Sequence, residues 1–284
     1  MTQIVIRELH IYPVKGLKGI AVDQAKLTPF GLEYDRHWMV INPKNQFVTQ
    51  RQFPQMAKLH TQLTETHLVM SSAESSISIP LQSHASENSL ESRFSATIWK
   101  NSCDVVDEGE SVSRWLTQVL QTPWPVRLVR MAKDFVREVD QSDKLSTPDP
   151  VVTTEFADGF PILIANQSSL DALNRELASE LPMNRFRPNI VVAGLDAFAE
   201  HKVTAIAPDN DQYRIELQYP CERCVVTTID QLTGKKAADL EPLKTLIRIN
   251  PMPNKAAAAF GQNAKVAKGI GDLVRVGDSL VSHA

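Results

Sequence analysis

Cysteine is scarce in this sequence of 284 residues, which contains only Cys103, Cys221 and Cys224. An odd and low number of cysteines argues against the disulfide framework that stabilises many small secreted proteins. We therefore expect a protein of a reducing compartment, and the cytoplasm is the simplest expectation.

Long apolar runs are also missing. No stretch of about 18 apolar residues occurs, so the sequence predicts no transmembrane helix. The first residues alternate between apolar and polar side chains and lack the apolar core of a signal peptide. A net charge of −3 gives no bulk attraction to nucleic acids or to membrane surfaces. We therefore expect neither of these as a partner.

Apolar residues are nevertheless abundant enough for a large core. They make up 43% of the chain against 22% charged residues, which is typical of one large globular domain or two of ordinary size. Alternating or continuous apolar patterns indicate strands. Strands are predicted at residues 4–9, 37–42, 161–165, 189–194, 213–219 and 272–281. The second half is rich in strands with short helices, which favours a small barrel over a doubly wound sheet.

Two helices are predicted from their apolar spacing. In residues 111–121 the apolar positions fall at offsets 0, 3, 4, 7 and 8, the pattern of one buried helical face. These positions are Val112, Trp115, Leu116, Val119 and Leu120. Ser168 is predicted to be the N-cap of a second helix that carries Leu170, Leu173 and Leu177.

The segment PCERCVVTTID, residues 220–230, contains two of the three cysteines. A structural zinc site needs four ligands, usually in two pairs, but only Cys103 remains and no His-x3-5-His pair occurs. A mixed zinc site that includes His201 stays open. A redox dithiol commonly lies at a helix N-terminus, whereas the β-branched run at 225–229 favours a strand.

Two further interpretations of the segment remain. In the first, Cys221 and Cys224 are inert, buried residues. In the second, one thiolate binds a metal whose other ligands belong to a bound cofactor. Thiolates are soft ligands that select thiophilic metals. Arg223, between the cysteines, favours an ionised sulfur or binds an anionic group of the cofactor. The residues alone leave these alternatives open.

Six motifs occur in order along nearly the whole chain, and together they resemble one known family. They are YPVKGLKG (12–19), GLEYDRHWMV (31–40), VTQRQFP (48–54), NRFRPNIVV (184–192), CERCVVTTID (221–230) and FGQN (260–263). The sequence is similar to MOSC-domain proteins with an N-terminal MOSC β-barrel domain, such as the mitochondrial amidoxime reducing component and bacterial N-hydroxylated-base reductases. The resemblance implies an α+β fold that is mostly β. It places a smaller β-rich N-terminal domain at 1–130 and a β-barrel MOSC domain at 131–284.

The resemblance also implies a molybdenum cofactor, molybdopterin or its nucleotide form, between the two domains. Cys224 is then the metal ligand and the catalytic residue. The implied cofactor-binding residues are Lys15, Arg36, Gly159, Phe160, Arg187, Asn189, Arg223 and Asn263. A buried phosphate requires cations and hydrogen-bond donors, which most of these positions offer. Asn263 stands where the mitochondrial relatives have tyrosine.

The activity that the resemblance implies is reduction of N-hydroxylated compounds: amidoximes, hydroxylamines or N-hydroxylated bases. Some bacterial relatives carry a C-terminal ferredoxin domain, which we expect to be missing here because three cysteines cannot supply the four thiolates of a [2Fe–2S] cluster. The expected partners are thus a small N-hydroxylated substrate and a separate electron-donor protein of the ferredoxin or flavin type. The alternative is a non-catalytic carrier of molybdenum cofactor or of sulfur.

Overall fold

The structure is a computed structural model that describes residues 2–82, 93–140 and 151–283. In the first half of the chain the strands are β1 Thr2–Ile11, β2 Ile20–Val22, β3 Gln24–Thr28, β4 Gly31–Leu32, β5 Trp38–Ile41, β6 His60–Leu63, β7 His67–Ser71, β8 Ser76–Pro80, β9 Arg93–Ile98, β10 Asn101–Asp107 and β11 Arg127–Met131. In the second half they are β12 Arg137–Glu138, β13 Thr153–Thr154, β14 Ile162–Asn166, β15 Ile190–Ala193, β16 Ala205–Ala207, β17 Arg214–Glu222, β18 Ala259–Lys268, β19 Leu273–Arg275 and β20 Ser279–His283.

Three α-helices accompany the strands within the residues that the structure describes. They are α1 Glu110–Leu120, α2 Gln167–Glu176 and α3 Leu243–Ile249. Short 3-10 helices lie at Pro54–Lys58, Met183–Arg185, Ala199–Lys202 and Val225–Thr228. None of the helices in the described ranges is long and apolar enough to cross a bilayer.

Seven strands close into a barrel, which confirms the predicted fold. Their order is β15, β14, β18, β17, β16, β20 and β1, and β1 pairs again with β15. The β14–β15 pair is parallel, and the other pairs are antiparallel. Closure leaves no unpaired strand edge in the ring.

The first strand, β1, belongs to the barrel although the other barrel strands all lie in the second half of the chain. In β1, Val5 is paired with Ala193 of β15, and Ile4 is paired with Leu280 of β20. Ile4 and Ile6 are fully buried in the barrel core, as their alternation predicts, and Leu9 is buried there as well, beyond a register shift between Ile6 and Glu8. Burial of each such side chain contributes about 1.5–3 kcal/mol. The domain boundary near residue 130 stays a prediction.

Strands outside the barrel form smaller sheets. One has the order β5-β11-β10-β9, a second β6-β7-β8, and a third β19-β3-β4. The predicted helix at 111–121 is confirmed as α1, and its apolar face packs into a core that contains Trp38 and Leu128. The helix ends where Gln121 adopts a left-handed backbone conformation.

The predicted cap of the second helix is wrong by two residues. The N-cap of α2 is Asn166, whose side chain accepts a hydrogen bond from the Ser168 amide at 3.2 Å. The chain leaves β14 with extended backbone angles at Asn166, so the first turn begins there and Ser168 lies inside it.

The strand favoured at 225–229 is also wrong. Val225–Thr228 is a single 3-10 turn that begins directly after Cys224. The hydroxyl groups of Thr227 and Thr228 donate to the carbonyl oxygens three residues earlier, at 2.9 and 2.8 Å. Such local hydrogen bonds offset the strand preference of β-branched residues.

Candidate functional site

A pocket lies at one end of the barrel, where β1 and β17 end and β14 and β15 begin. The pairings of β1 with β15, and of β14 with β15, bring these strand ends together. The N-terminal part contributes Lys15, Gly16, Arg36, Phe47, Val48, Thr49, Gln50, Arg51 and Trp99. The later part contributes Ala157, Asp158, Gly159, Phe160, Leu163, Phe186, Arg187, Asn189, Cys221, Arg223, Cys224, Val226 and Asn263. The nine site residues predicted from the sequence all lie in this lining, while their roles stay predictions.

Both cysteines of the CERC segment line the pocket. Cys221 and Cys224 are free thiols and half-buried. Arg223 donates to Cys221 Sγ at 3.0 Å and to the Phe186 carbonyl oxygen at 2.7 Å. Its buried Nε has no hydrogen-bond partner among the described residues. The pocket therefore pairs sulfur with a guanidinium group that still has a donor to offer.

The protein does not supply a cluster of metal ligands at these sulfurs. No group of three or more His, Cys, Asp or Glu side chains in residues 2–82, 93–140 and 151–283 is arranged to hold a metal. Both ring nitrogens of His201 are hydrogen-bonded, to Gln262 at 2.8 Å and to Asn250 at 3.0 Å. Cys103 is buried in an apolar core, and burial raises the pKa of its thiol. A zinc site with protein ligands is thus disfavoured, and a metal at Cys224 needs ligands brought by a cofactor.

Arg36 and Arg187 are joined in the pocket wall by one hydrogen bond, from the side chain of Arg36 to the backbone of Arg187. Arg36 donates to Asp35 Oδ2 at 2.5 Å, to Asn189 Oδ1 at 3.0 Å and to the Arg187 carbonyl oxygen at 3.1 Å. Arg187 donates one long hydrogen bond of 3.4 Å to Gln231. Burial is the main reason why the pKa of Arg187 falls to about 10, and the charge of Arg36 lowers it further. An anion in the pocket would offset both the cost of burying the Arg187 charge and its repulsion from Arg36.

Asn189 holds this wall in place. Its side chain is 1% exposed, and its Oδ1 also accepts the Leu163 amide hydrogen at 3.1 Å. Its Nδ2 donates to the His10 carbonyl oxygen at 3.2 Å. These bonds use most of the capacity of the amide, so the geometry favours a role in orienting Arg36.

Three predicted residues form a less polar wall. Phe160 packs edge-on against Tyr219, with ring centroids 5.5 Å apart. Asn263 donates to the Tyr219 carbonyl oxygen at 3.4 Å. A β-carbon added at Gly159 would lie 3.9 Å from Asn263 Oδ1, an ordinary contact. No close approach within the protein requires glycine at this position.

Lys15 is the most buried cation of the pocket. Its Nζ donates to the Phe156 carbonyl oxygen at 2.8 Å and to Asp158 Oδ1 at 2.5 Å. Burial lowers the pKa of Lys15, and the neighbouring carboxylate opposes this shift. Burial raises the pKa of Asp158, but attraction to Lys15 outweighs it, so that the net pKa lies below its usual range.

Sequence reasoning missed a group at the pocket rim. Trp99 donates from its indole nitrogen to Asp158 Oδ1 at 2.9 Å, and its ring centroid lies 4.9 Å from that of Phe47. The Arg51 guanidinium lies 4.9 Å from the Trp99 ring. Arg51 stands within the VTQRQFP motif, which was the available signal. Trp99 lies in the turn between β9 and β10, where no periodic pattern marks it.

The lining of the pocket is strongly cationic. It contains five basic side chains and one carboxylate, in a chain whose net charge is −3. The basic residues are Lys15, Arg36, Arg51, Arg187 and Arg223. Paired arginines and a lysine are the groups that proteins use to bind phosphate oxygens. The arrangement therefore suits an anionic ligand that reaches to Cys224.

Comparison with known families gives two matches. Residues 3–123 match the family described as "MOSC N-terminal beta barrel domain", and residues 152–281 match the one described as "MOSC domain". Together the two ranges account for most of the chain.

Curated relatives match over nearly the whole chain. The "Mitochondrial amidoxime-reducing component 1" of Xenopus laevis is 30% identical over 96% of this chain and 80% of its own length. The "Mitochondrial amidoxime reducing component 2" of Bos taurus is 31% identical over 96% of this chain and 81% of its own. The "Mitochondrial amidoxime-reducing component 1" of Homo sapiens is 30% identical over 90% of this chain and 77% of its own length.

Proposed function

The chain belongs to the MOSC-domain family, and we propose that it is a molybdenum-cofactor-dependent reductase of N-hydroxylated compounds. Its substrates in this proposal are amidoximes, hydroxylamines or N-hydroxylated bases. The names of its relatives support the choice of amidoximes. The observation that carries the proposal is the presence of Cys224 and five cations in one pocket.

The residues of the pocket fit such a cofactor. The chain offers a thiol without a surrounding set of protein ligands, which suits a metal that arrives with its own dithiolene sulfurs. The unpartnered Nε of Arg223 and the weakly bonded guanidinium of Arg187 are donors for an anionic group. Molybdopterin carries a terminal phosphate and its nucleotide form a pyrophosphate linkage, and either group would satisfy these donors.

Each part of the lining then has a task. Cys224 Sγ would bind the metal, and Arg36, Arg187 and Arg223 would hold the anionic end of the cofactor. When bound, the cofactor supplies the two-electron redox chemistry that cleaves the N–O bond. Phe160 and Asn263 line another part of the pocket, beside Tyr219.

The overall reaction consumes protons as well as electrons. An N–OH group takes up two electrons and two protons, the N–O bond breaks, and the products are the N–H compound and water. Lys15 Nζ holds a proton at the pocket wall, and its lowered pKa makes that proton easier to release. Asp158 keeps the ammonium group oriented through the 2.5 Å hydrogen bond. The electrons come from a separate carrier protein of the ferredoxin or flavin type.

Replacement of the proposed metal ligand tests the function. We expect Cys224→Ala to retain less than about one hundredth of the molybdenum and of the benzamidoxime reduction, since even indirect partners of a metal ligand change affinity about 10–100-fold. Cofactor-loaded protein is assayed with an artificial electron donor, and molybdenum per chain is measured. Cys103→Ala removes a thiol outside the pocket and is the matched control.

Two outcomes would decide against the proposal. Full benzamidoxime reduction by Cys224→Ala would remove the role of this residue. Transfer of cofactor, or of a sulfur atom, to an acceptor enzyme without any N–O reduction would support the carrier alternative.

A further inference from the structure

Tyr12 lies behind the pocket, between two arginine side chains that face into it. The Arg36 guanidinium carbon lies 4.3 Å from the centroid of the Tyr12 ring, and that of Arg187 lies 4.2 Å from it. The ring is 3% exposed and does not line the pocket itself. Two like charges thus share one aromatic ring, whose electron-rich faces attract cations.

The ring is fixed from several sides. The Tyr12 hydroxyl donates to the Pro188 carbonyl oxygen at 3.2 Å, and the Tyr12 amide donates to Asp35 Oδ1 at 2.8 Å. Gly19 packs against the ring edge, so that a β-carbon there would lie 2.4 Å from the nearest ring carbon. The hydroxyl bond to Pro188 and the close approach of Gly19 together restrict where the ring can lie.

The backbones of both arginines are unusual. Arg36 has a φ of 50° and Arg187 a φ of 55°, in the left-handed region that residues with a side chain rarely adopt. Such conformations persist where the surroundings enforce them, and they cluster at ligand sites. Here they point two guanidinium groups at one aromatic ring and at one pocket.

We propose that Tyr12 is a positioning residue that holds Arg36 and Arg187 as a two-armed clamp for the phosphate end of a phosphorylated ligand. This inference rests on the proposed function for the identity of that ligand, which is the cofactor. The ring attracts both guanidinium groups and holds them near one another despite their like charges, so that donors of both can reach one anion. Without the ring, the like charges repel and the arms separate.

Binding of inorganic pyrophosphate to the cofactor-free protein tests the clamp directly by calorimetry. We expect Tyr12→Leu to weaken the affinity about 10-fold, which corresponds to about 1.4 kcal/mol and lies within the range of cation–π contacts. Tyr12→Phe keeps the ring and should bind within about twofold of the wild type. Gly19→Ala should weaken binding as well, because it displaces the ring while Tyr12 remains.

Two matched controls separate the clamp from general destabilisation. Tyr213→Leu removes a buried tyrosine of the barrel that does not line the pocket, and Gly271→Ala adds a methyl group in open space at a φ of 97°. Both should retain pyrophosphate affinity whatever their melting temperatures. Wild-type affinity in folded Tyr12→Leu and Gly19→Ala would overturn the inference, as would equal loss in Tyr12→Phe and Tyr12→Leu.

The proposed function fails or succeeds in a separate measurement. Cys103→Ala, which removes a thiol outside the pocket, should bind pyrophosphate like the wild type. A wild-type protein that binds pyrophosphate through Tyr12 but never holds molybdenum would refute the proposed function and leave the clamp intact. A protein that holds molybdenum but binds no pyrophosphate would refute the clamp alone.

Discussion

Tyr12 is a residue for which the structure predicts how stability depends on pH. Burial raises the pKa of its hydroxyl from 10.0 to about 12, although the charges of Arg187 and Arg36 pull it down. The folded protein thus holds this proton more tightly than the unfolded chain does. The resulting stabilisation is fully present below pH 10 and is lost as the pH rises from 10 to about 12.

A titration of the wild type against Tyr12→Phe checks this statement. The difference in tyrosinate absorbance at 295 nm should have its midpoint at about pH 12. The wild type should also lose up to about 3 kcal/mol more of its unfolding free energy than the variant between pH 10 and 12. A difference midpoint near pH 10 would show that the phenol is not buried as described.

The sequence identified much of the pocket, but not through spacing. Cys224 and the eight residues predicted with it lie in one lining because the family resemblance carried them over. A lone arginine such as Arg187 gives no local signal, since its partners are far away along the chain. Tyr12 and Trp99 were missed for the same reason. Their importance depends on side chains that approach only after folding, such as Arg36 and Asp158.

At the scale of single elements, the start of α2 is the most informative. Asn166 caps this helix and also donates to Glu200 Oε2 at 3.2 Å. Glu200 is fully buried, and Ser169 donates to both of its carboxylate oxygens. The side chain of Asn166 therefore caps the first turn of α2 and also donates a hydrogen bond to a buried carboxyl group.

Asn166→Ala should cost about 2–4 kcal/mol of unfolding free energy. A lost N-cap accounts for about 1 kcal/mol, and the donor lost to buried Glu200 accounts for the rest. Urea denaturation measures the difference. Gln167→Ala, which removes only the neighbouring bond to Asp171, is the control and should change stability by less than about 0.5 kcal/mol. Equal effects of the two substitutions would contradict the double role of Asn166.

The sequence pattern predicts a helix or strand well where burial of apolar side chains determines it. It predicts poorly where a few hydrogen bonds determine the local conformation. The strands at 161–165 and 189–194 and helix α1 follow their apolar periodicity. The turn after Cys224 does not, because two threonine hydroxyls outweigh the β-branched composition. The start of α2 shifts from Ser168 to Asn166 for a similar reason, since the end of a strand fixes where the helix begins.

At the scale of the whole molecule, the barrel depends on β1. This strand fills the gap between β15 and β20 and buries Ile4, Ile6 and Leu9. Residues 131–284 alone would expose that apolar surface and two unpaired edges.

We therefore expect a protein comprising residues 131–284 alone not to fold cooperatively. Circular dichroism during thermal unfolding measures this, and the full chain is the reference. Adding a peptide of residues 1–13 should restore a cooperative transition, whereas the same peptide with Ile4 and Ile6 changed to serine should not. A sharp transition of the fragment on its own would contradict the dependence on β1.

The pairing of Gln3 with Val281 has a consequence for the order of events during protein synthesis. β1 must wait for β20, which is made much later, before the ring is complete, and such distant pairing slows folding. Tyr12 and Lys15 follow that waiting strand directly. The pocket lining extends to Asn263 on β18, so a growing chain has no complete pocket before β18 has been made, and a ligand of this pocket binds only after that.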